Sequence, residues 1–195
     1  MHYRWGVQGL GQIEAVSQVM KMKSGLVYDI SNEQAERIVK FAKERLSCDF
    51  DVSNSPEQLA SKVDVLITST TSTQPLFNGS IIKPGTHINA IGSNMPSRRE
   101  LDVEILRRSK VVVDSLDQAP KESGDLVQPI SHGEYDVGKI HSEIGDVISG
   151  RKLGRVTDDE ITLFKSVGIA VEDIAVARRI YELAVKQGIG AELTL

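Results

Sequence analysis

The sequence has little of what several functional classes require. Cys48 is the only cysteine among 195 residues, so an intrachain disulfide and a cysteine-rich metal site are excluded. No apolar run approaches the roughly 20 residues of a membrane-spanning helix, and the N-terminus lacks the apolar core of a signal peptide. Acidic residues outnumber basic ones by 27 to 23, which gives no reason to expect nucleic-acid binding. We therefore expect a soluble cytoplasmic protein without nucleic-acid or membrane partners.

Short apolar runs of strand length alternate with segments of helical periodicity along the chain. The predicted strands cover residues 25–30, 63–68, 87–91, 111–114 and 161–164. The predicted helices cover residues 10–22, 32–46, the segment after Pro56, 100–108, 140–149 and 170–187. This alternation predicts an α/β fold whose parallel sheet is covered by helices on both faces.

Local signals mark where several of these helices begin or end. The segments 31–34 and 55–58 share the pattern Ser-x-x-Gln, which predicts a capping box at each helix start. Pro56 stands at the first helical position, where proline is favoured. Gly188 is predicted to end the last helix. That helix places on one apolar face Val171, Ile174, Ala177, Tyr181 and Ala184.

The segment Gly6-Val7-Gln8-Gly9-Leu10-Gly11 leads directly into the first predicted helix. Glycines at such a turn let the backbone approach a phosphate, and the free N–H groups of a helix start favour an anion. Asp29 ends the next predicted strand 21 residues after Gln8. An acidic side chain there accepts hydrogen bonds from an adenosine ribose and favours NAD over its 2′-phosphorylated form. The pattern indicates a dinucleotide site, and a glycine-rich turn with a solvent-facing Asp29 is the alternative.

The strand that should precede this glycine turn is poor in apolar residues. Only Met1-His2-Tyr3-Arg4-Trp5 stands before Gly6, and this segment is too short and too polar for a central strand. A dinucleotide-binding fold needs an apolar strand at that point. We therefore expect the first strand of such a fold to be missing or compromised.

Two further candidate sites follow predicted strands, where ligands collect in open α/β sheets. Residues 68–73 form a cluster of serine and threonine hydroxyls, which is equally typical of a polar loop that caps a helix. Gly92 lets a flat ring approach the backbone, and Asn94 can orient a polar substrate group. His87 lies within its apolar strand and is expected to be structural. No histidine belongs to a cluster with metal-ligand spacing, so no metal site is predicted.

Several stretches in one register resemble the ornithine cyclodeaminase/mu-crystallin family, and within it the archaeal alanine dehydrogenase-like members. The matching stretches are 12–15, 27–29, 86–92, 99–102, 111–115, 144–150, 154–155 and 160–168. The likeness extends from about Gly6 to the C-terminus. The resemblance implies a Rossmann-like parallel sheet, compromised at its first strand, with a C-terminal helical segment.

The resemblance also implies a nicotinamide-dependent enzyme with NAD as its cofactor. Such an enzyme transfers a hydride to or from the α-carbon of a small α-amino or α-imino acid. By position, Val7 and Gln8 would meet the pyrophosphate and Asp29 the ribose, and Ser166 and Val167 would complete the cofactor site. The residues that would line the nicotinamide side are Thr70, Ile91, Gly92, Ser93, Asn94 and Arg98.

Asn94 bears on which activity within this family is expected. Ornithine cyclodeaminase and alanine dehydrogenase-like members carry an aspartate near the substrate amine at this place. Asparagine takes up no proton and carries no charge, which disfavours ornithine cyclisation with loss of ammonia. A neutral residue after Gly-Ser is typical of imine reductases, so we expect an alanine dehydrogenase or cyclic imine reductase type with Asn94 as the catalytic candidate. Ornithine cyclodeaminase and a non-catalytic nucleotide- or ligand-binding module are the alternatives.

Family members begin with a further domain, which binds the substrate carboxylate and forms homodimers, and this sequence contains nothing that resembles it. We expect residues 1–125 to form the NAD-binding domain and residues 126–195 to complete it and to pack toward the absent domain. The chain is therefore expected to be the C-terminal part of an enzyme, from a gene fragment, a misassigned start or a split gene. Little turnover is expected from this chain alone.

Overall fold

A computed structural model describes residues 7–46, 48–191 and Leu193. The helices are α1 (Val7–Val19), α2 (Asn32–Arg45), α3 (Pro56–Ala60), α4 (Val103–Arg108), α5 (Ala119–Glu122), α6 (Gly124–Ser131), α7 (Ile144–Ile148) and α8 (Ala170–Gln187). The strands are β1 (Ser24–Val27), β2 (Asp49–Val52), β3 (Val65–Thr68), β4 (His87–Ala90), β5 (Ser109–Val113), β6 (Ser142–Glu143) and β7 (Ile161–Lys165). Two short 3-10 turns complete the described elements, at Gly79–Ile81 and Val137–Lys139.

The strands form two parallel sheets. Five of them pair in the order β3-β4-β7-β5-β6, and β1 pairs with β2 in a separate sheet. The predicted parallel α/β fold is therefore confirmed. Within the described part of the chain, no strand pairs with the second edge of β1 or of β3. The prediction of a missing or compromised first strand falls on residues 1–6, which lie outside the described residues.

One face of the five-stranded sheet carries the main core. Ile88 of β4 and Leu163 of β7 are nearly inaccessible at its centre, with Leu66, Val111 and Val113 beside them. Side chains alternate across a strand, so the intervening residues of β4 and β7 point to the opposite face, where they are only half-buried. The sheet is thus closed on one face and partly open on the other.

A second, smaller core lies between α2 and the β1–β2 sheet. It consists of Val27, Ala35, Ala42 and Phe50. Phe50 pairs with Gly25 of β1, and a Cβ atom on Gly25 would lie closer than 3.0 Å to the Phe50 ring. Glycine is needed here because the aromatic ring occupies the space of a side chain.

The two predicted capping boxes differ in outcome. Ser55 Oγ accepts a hydrogen bond from Gln58 N at 3.1 Å at the start of α3, which is the serine half of the predicted capping box; Gln58 Oε1 accepts from Asn54 N at 3.0 Å and not from Ser55 N. Ser31 precedes α2, but its side chain makes no capping bond, so that part of the prediction is wrong. The Gln34 amide that such a cap would bind donates instead to the backbone carbonyl of Ser31 at 3.0 Å. Asp29 forms a separate local turn, in which its Oδ1 accepts from Ser31 N at 2.8 Å.

Residues 115–160 contain more regular structure than the sequence predicts. The predicted helix over 140–149 is replaced by β6 and the shorter α7, and α5 and α6 were not predicted. α6 contains Gly124 and Pro129, which weaken any helical signal in the sequence. A Cβ atom on Gly124 would lie closer than 3.0 Å to Pro96 O and Arg98 O. Tertiary packing against the 96–98 loop therefore places α6 where local propensity alone would not.

The last helix has the predicted bounds. α8 covers Ala170–Gln187, and Gly188 ends it with a left-handed φ of 65°. Its predicted apolar face does not pack into either core, since Val171, Ile174 and Tyr181 are all exposed. Of the helices in the described residues, none is long and apolar enough to span a membrane.

Candidate functional site

Four neighbouring strands, β3, β4, β7 and β5, end next to one another, so that their carboxyl ends form one edge of the five-stranded sheet. Thr68 pairs with Ala90, and Lys165 pairs with both Ala90 and Val113. The start of α1 reaches the same edge, because a Cβ atom on Gly9 would lie 3.2 Å from Ser69 Oγ, just after β3. The structure therefore brings the glycine-containing start of α1, with Val7 and Gln8, next to the loop that carries Thr70.

Asp29 lies just beyond the carboxyl end of β1, in the smaller sheet. Its carboxylate is half-buried, and Oδ1 accepts from Ser31 N at 2.8 Å. The hydrogen bonds among the described residues leave Oδ2 without a donor. The backbone amide of Ser31 therefore orients Oδ1, and Oδ2 is able to accept a hydrogen bond from an additional donor.

Glu100 connects the loops that follow β3 and β4. Its carboxylate is fully buried and accepts from Thr70 N at 2.5 Å, Thr68 Oγ1 at 2.9 Å and Gly92 N at 2.9 Å. A Cβ atom on Gly92 would lie closer than 3.0 Å to Glu100 Oε1 and to the Thr70 backbone. Gly92 is therefore required by close packing between these two loops. Sequence reasoning missed Glu100, since one acid in a charged segment gives no sign that it is buried.

Ser93, Asn94 and Arg98 form a compact loop after β4. Ser93 is buried, and its Oγ donates to Arg98 O at 2.6 Å and accepts from Asp125 N at 3.3 Å. Asn94 is exposed, and its Oδ1 accepts from Arg98 Nη1 at 3.1 Å. The Ser93 hydroxyl is thus used within the protein, whereas Ile91 and Gly92 are partly accessible and Asn94 faces solvent.

Asp114 organises the loop that follows β7. Its Oδ2 accepts from Ser166 Oγ at 3.0 Å, Val167 N at 2.7 Å and Gly168 N at 2.8 Å. Gly168 has a φ of +82°, which glycine adopts without strain. The structure therefore holds Ser166 and Val167 at the same edge as the Gly92 loop. The sequence placed Asp114 only at a strand end, and its role as an acceptor depends on the crossover that brings β7 beside β5.

His87 lies on the partly open face of the sheet, away from this edge. Its Nδ1 is 2.8 Å from Thr162 Oγ1 and its Nε2 is 3.1 Å from Asn89 Oδ1, so the expected structural role agrees with its contacts. A cavity of about 330 Å³ opens beside it, lined in part by Lys110 and Phe164. Burial lowers the pKa of His87 below 6.5; the hydrogen bond with Asn89 opposes this shift and the charge of Arg155 adds to it.

We expect His87 to make the protein less stable as the pH falls. The lowered pKa means that the unfolded chain takes up a proton near pH 6.5 while the folded chain does not. Stability should therefore decrease as the pH drops from that value, and His87→Gln should reduce this decrease. Urea unfolding at about pH 7.5 and pH 5.5 measures the difference. His132→Gln, at an exposed histidine, is the matched control; an equal change in both variants would contradict the assignment to His87.

The described residues contain no group of three or more histidine, cysteine, aspartate or glutamate side chains arranged to hold a metal ion. The polar groups at the sheet edge are instead backbone amides, hydroxyls and acids that bind one another. Such an edge suits a ligand that is recognised by main-chain groups and a few side chains.

Comparison with known proteins relates the chain to a defined group. The family model described as "Ornithine cyclodeaminase/mu-crystallin family" matches residues 5–188. Alanine dehydrogenase of Archaeoglobus fulgidus is 40% identical over 188 residues, which covers 96% of this chain and 57% of that protein.

Two solved structures share the fold closely. Thermococcus litoralis Delta(1)-pyrroline-2-carboxylate reductase, in complex with NADH and L-proline, matches with a TM-score of 0.93 and 40% identity, covering 97% of this chain and 58% of that one. An archaeal alanine dehydrogenase dimer with bound NAD matches with a TM-score of 0.90 and 38% identity, covering 98% and 58%. The chain thus spans somewhat more than half the length of the relatives that it matches.

Proposed function

The chain belongs to the ornithine cyclodeaminase/mu-crystallin family, and from this membership we propose that it is the nucleotide-binding part of an NAD-dependent oxidoreductase. The substrate class is a small α-amino or α-imino acid, as in alanine dehydrogenases and cyclic imine reductases. The observation that carries the proposal is that the start of α1, the Gly92 loop and the 166–168 loop all lie at the carboxyl ends of the parallel strands. Relatives solved with NADH and L-proline, or with NAD, support it.

The residues at this edge fit a dinucleotide. Gly92 is partly accessible, and the Cβ of any other residue would run into Glu100 and the Thr70 backbone and displace the loop. The start of α1 offers free backbone N–H groups to a pyrophosphate, with Val7 and Gln8 in its first turn. We propose that Asp29 binds the adenosine ribose. The residues proposed for the nicotinamide side are Thr70, Ile91, Gly92, Ser93, Asn94 and Arg98, together with Ser166 and Val167.

Bound NAD supplies hydride acceptance or donation, and the protein supplies orientation. The side-chain amide of Asn94 is exposed and accepts from Arg98 Nη1. Since an amide takes up no proton, we propose that Asn94 holds a polar substrate group and does not move a proton. The buried Ser93 hydroxyl keeps the loop in shape, so we propose that Ser93 contributes through its backbone. A neutral Asn94 that binds the substrate without proton transfer favours a dehydrogenase or imine reductase over an ornithine cyclodeaminase.

The proposed domain division follows the same reasoning. Residues 1–125 provide most of the nucleotide-binding sheet. Residues 126–195 provide β7, which lies between β4 and β5 and carries the 166–168 loop. The apolar face of α8 is exposed. It supports the proposal that residues 126–195 also pack toward a further domain of the kind that family members carry.

We expect Asp29→Ala to weaken NADH binding by about tenfold to 100-fold, because hydrogen bonds to a charged acceptor contribute about 1.5–3 kcal/mol. Fluorescence titration of the purified chain with NADH measures the dissociation constant. Asp29→Asn keeps an acceptor for Ser31 N and separates loss of charge from loss of the local turn. Asp51→Ala, at an exposed acid of the same small sheet, is the matched control and should leave the affinity unchanged.

A folded wild-type chain without saturable NADH binding would contradict the proposed function. If NADH binds, alanine, pyruvate with ammonia, ornithine and cyclic imino acids distinguish the activities within the family. Release of ammonia from ornithine would indicate a cyclodeaminase. NADH binding without turnover of any of these substrates is the result expected both of a non-catalytic binding module and of a nucleotide-binding part that acts only with the rest of an enzyme.

A further inference from the structure

Lys165 is the largest fully buried side chain in the described part of the protein. It is the last residue of the central strand β7, directly before the loop of Ser166 and Val167. Taking an ammonium out of water costs several kcal/mol unless charged and polar partners compensate for it. A lysine at this position therefore requires a specific set of partners.

Its partners lie at the ends of neighbouring elements. Lys165 Nζ donates to Ala90 O, at the end of β4, at 3.0 Å and lies 3.3 Å from Asp125 Oδ2 in α6. Asp125 is also fully buried, and its Oδ1 accepts from Glu100 N at 2.7 Å and Leu101 N at 2.8 Å. Its Oδ2 has no hydrogen-bond donor with acceptable geometry among the described residues, so it is balanced by the charge of Lys165.

Three carboxylates act on the Lys165 ammonium, and each of them holds a loop of the candidate site. Asp125 binds the backbone at 100–101, Glu100 binds Thr70 N and Gly92 N, and Asp114 binds the 166–168 loop. Burial lowers the pKa of Lys165, and the charges of Asp125, Glu100 and Asp114 oppose that shift. The buried ammonium of Lys165 thus interacts electrostatically with all three of the acids that hold these loops.

We propose that Lys165 is a positioning residue for the nucleotide site, whose buried ammonium pairs with Asp125 and so keeps the loops at Thr70, Gly92 and Leu101 in their binding geometry. The inference rests on the proposed function for what the loops bind. Its structural content, that the charge of Lys165 holds these loops, is independent of the ligand. Without the ammonium, the Asp125 carboxylate would be buried and unpaired, and the backbone it binds would be displaced to admit water or a proton.

A double-mutant cycle separates this role from simple space filling. Lys165→Met keeps most of the side-chain volume but removes the charge. Asp125→Asn keeps an oxygen that accepts from Glu100 N and Leu101 N. We expect Lys165→Met to lower the hydrogen-exchange protection of the Thr70, Gly92 and Leu101 amides by at least about 100-fold. Adding Asp125→Asn should restore most of that protection, because no buried charge then lacks a partner.

NADH titration of the same variants provides the second measurement. Lys165→Met should weaken binding by about tenfold or more, and the double variant should recover it. Lys110→Met, at a lysine of β5 that pairs with Glu160 on the partly open face, is the control and should leave both measurements unchanged.

Each outcome bears on a distinct claim. If protection falls in Lys165→Met and returns in the double variant, the positioning role is supported, and absence of NADH binding by the wild type would contradict only the proposed function. If Lys165→Met does not fold, recovery of folded protein in the double variant supports the pairing. Unchanged protection in Lys165→Met, or no recovery in the double variant, would overturn the inference.

Discussion

Gly92→Ala is expected to abolish NADH binding at concentrations that saturate the wild type and to destabilise the fold by about 1–3 kcal/mol. The new methyl group would lie closer than 3.0 Å to Glu100 Oε1 and to the Thr70 backbone. Neither neighbour can move freely, because Glu100 is buried and binds both loops, and the Thr70 amide is one of its donors. The substitution must therefore separate the loops after β3 and β4.

Urea unfolding and NADH titration of the same protein measure the two effects. Gly145→Ala is the matched control, because this glycine lies in α7 with no atom within 4 Å of an added Cβ. It should be neutral or slightly stabilising, since alanine favours a helix over glycine by about 1 kcal/mol. A Gly92→Ala variant with wild-type stability and affinity would show that the two loops do not need this close approach.

The second large effect is expected from Asp114→Ala. This change removes the acceptor for Ser166 Oγ, Val167 N and Gly168 N, and should cost about 3 kcal/mol in the free energy of unfolding. The loop after β7 would lose its common anchor, so NADH binding should weaken by at least about tenfold. The fluorescence titration and urea unfolding again provide the measurements.

Asp136→Ala serves as the control for this change. Asp136 is an exposed acid at the start of the 3-10 turn Val137–Lys139, and its Oδ1 accepts from Gly138 N at 2.9 Å. Loss of such a cap typically costs about 1 kcal/mol, and the affinity for NADH should stay the same. Similar effects of the two substitutions would mean that Asp114 acts only as a local cap and does not position the 166–168 loop.

Local patterns in the sequence were sufficient for the class of fold and for several element bounds. Periodicity over a few residues is enough to predict β3, β4 and β5. The end of α8 depends on a single left-handed glycine, Gly188, which is also local. The Ser55 cap is equally local. Likewise, the ends of strands can be recognised as ligand positions without a structure, because parallel strands bring their carboxyl ends to one edge.

The sequence alone did not determine the acids that support the site. Glu100, Asp114 and Asp125 resemble ordinary surface acids in a chain with 27 acidic residues. Their burial depends on crossovers that place β7 between β4 and β5 and α6 against the 96–98 loop. The Ser31 cap failed for a different reason, since Gln34 N donates to the backbone carbonyl of Ser31 and not to its hydroxyl.

The sequence by itself therefore determined the alternation of strands and helices, the family and the loops in which a nucleotide site should lie. Only the tertiary structure decided that Lys165 is buried, which carboxylates balance it, and that Gly92 has no room for a side chain. The physical reason is that periodicity is a property of neighbouring residues. Desolvation, charge pairing and close packing instead depend on residues far apart in the sequence, which meet only when the sheet is assembled.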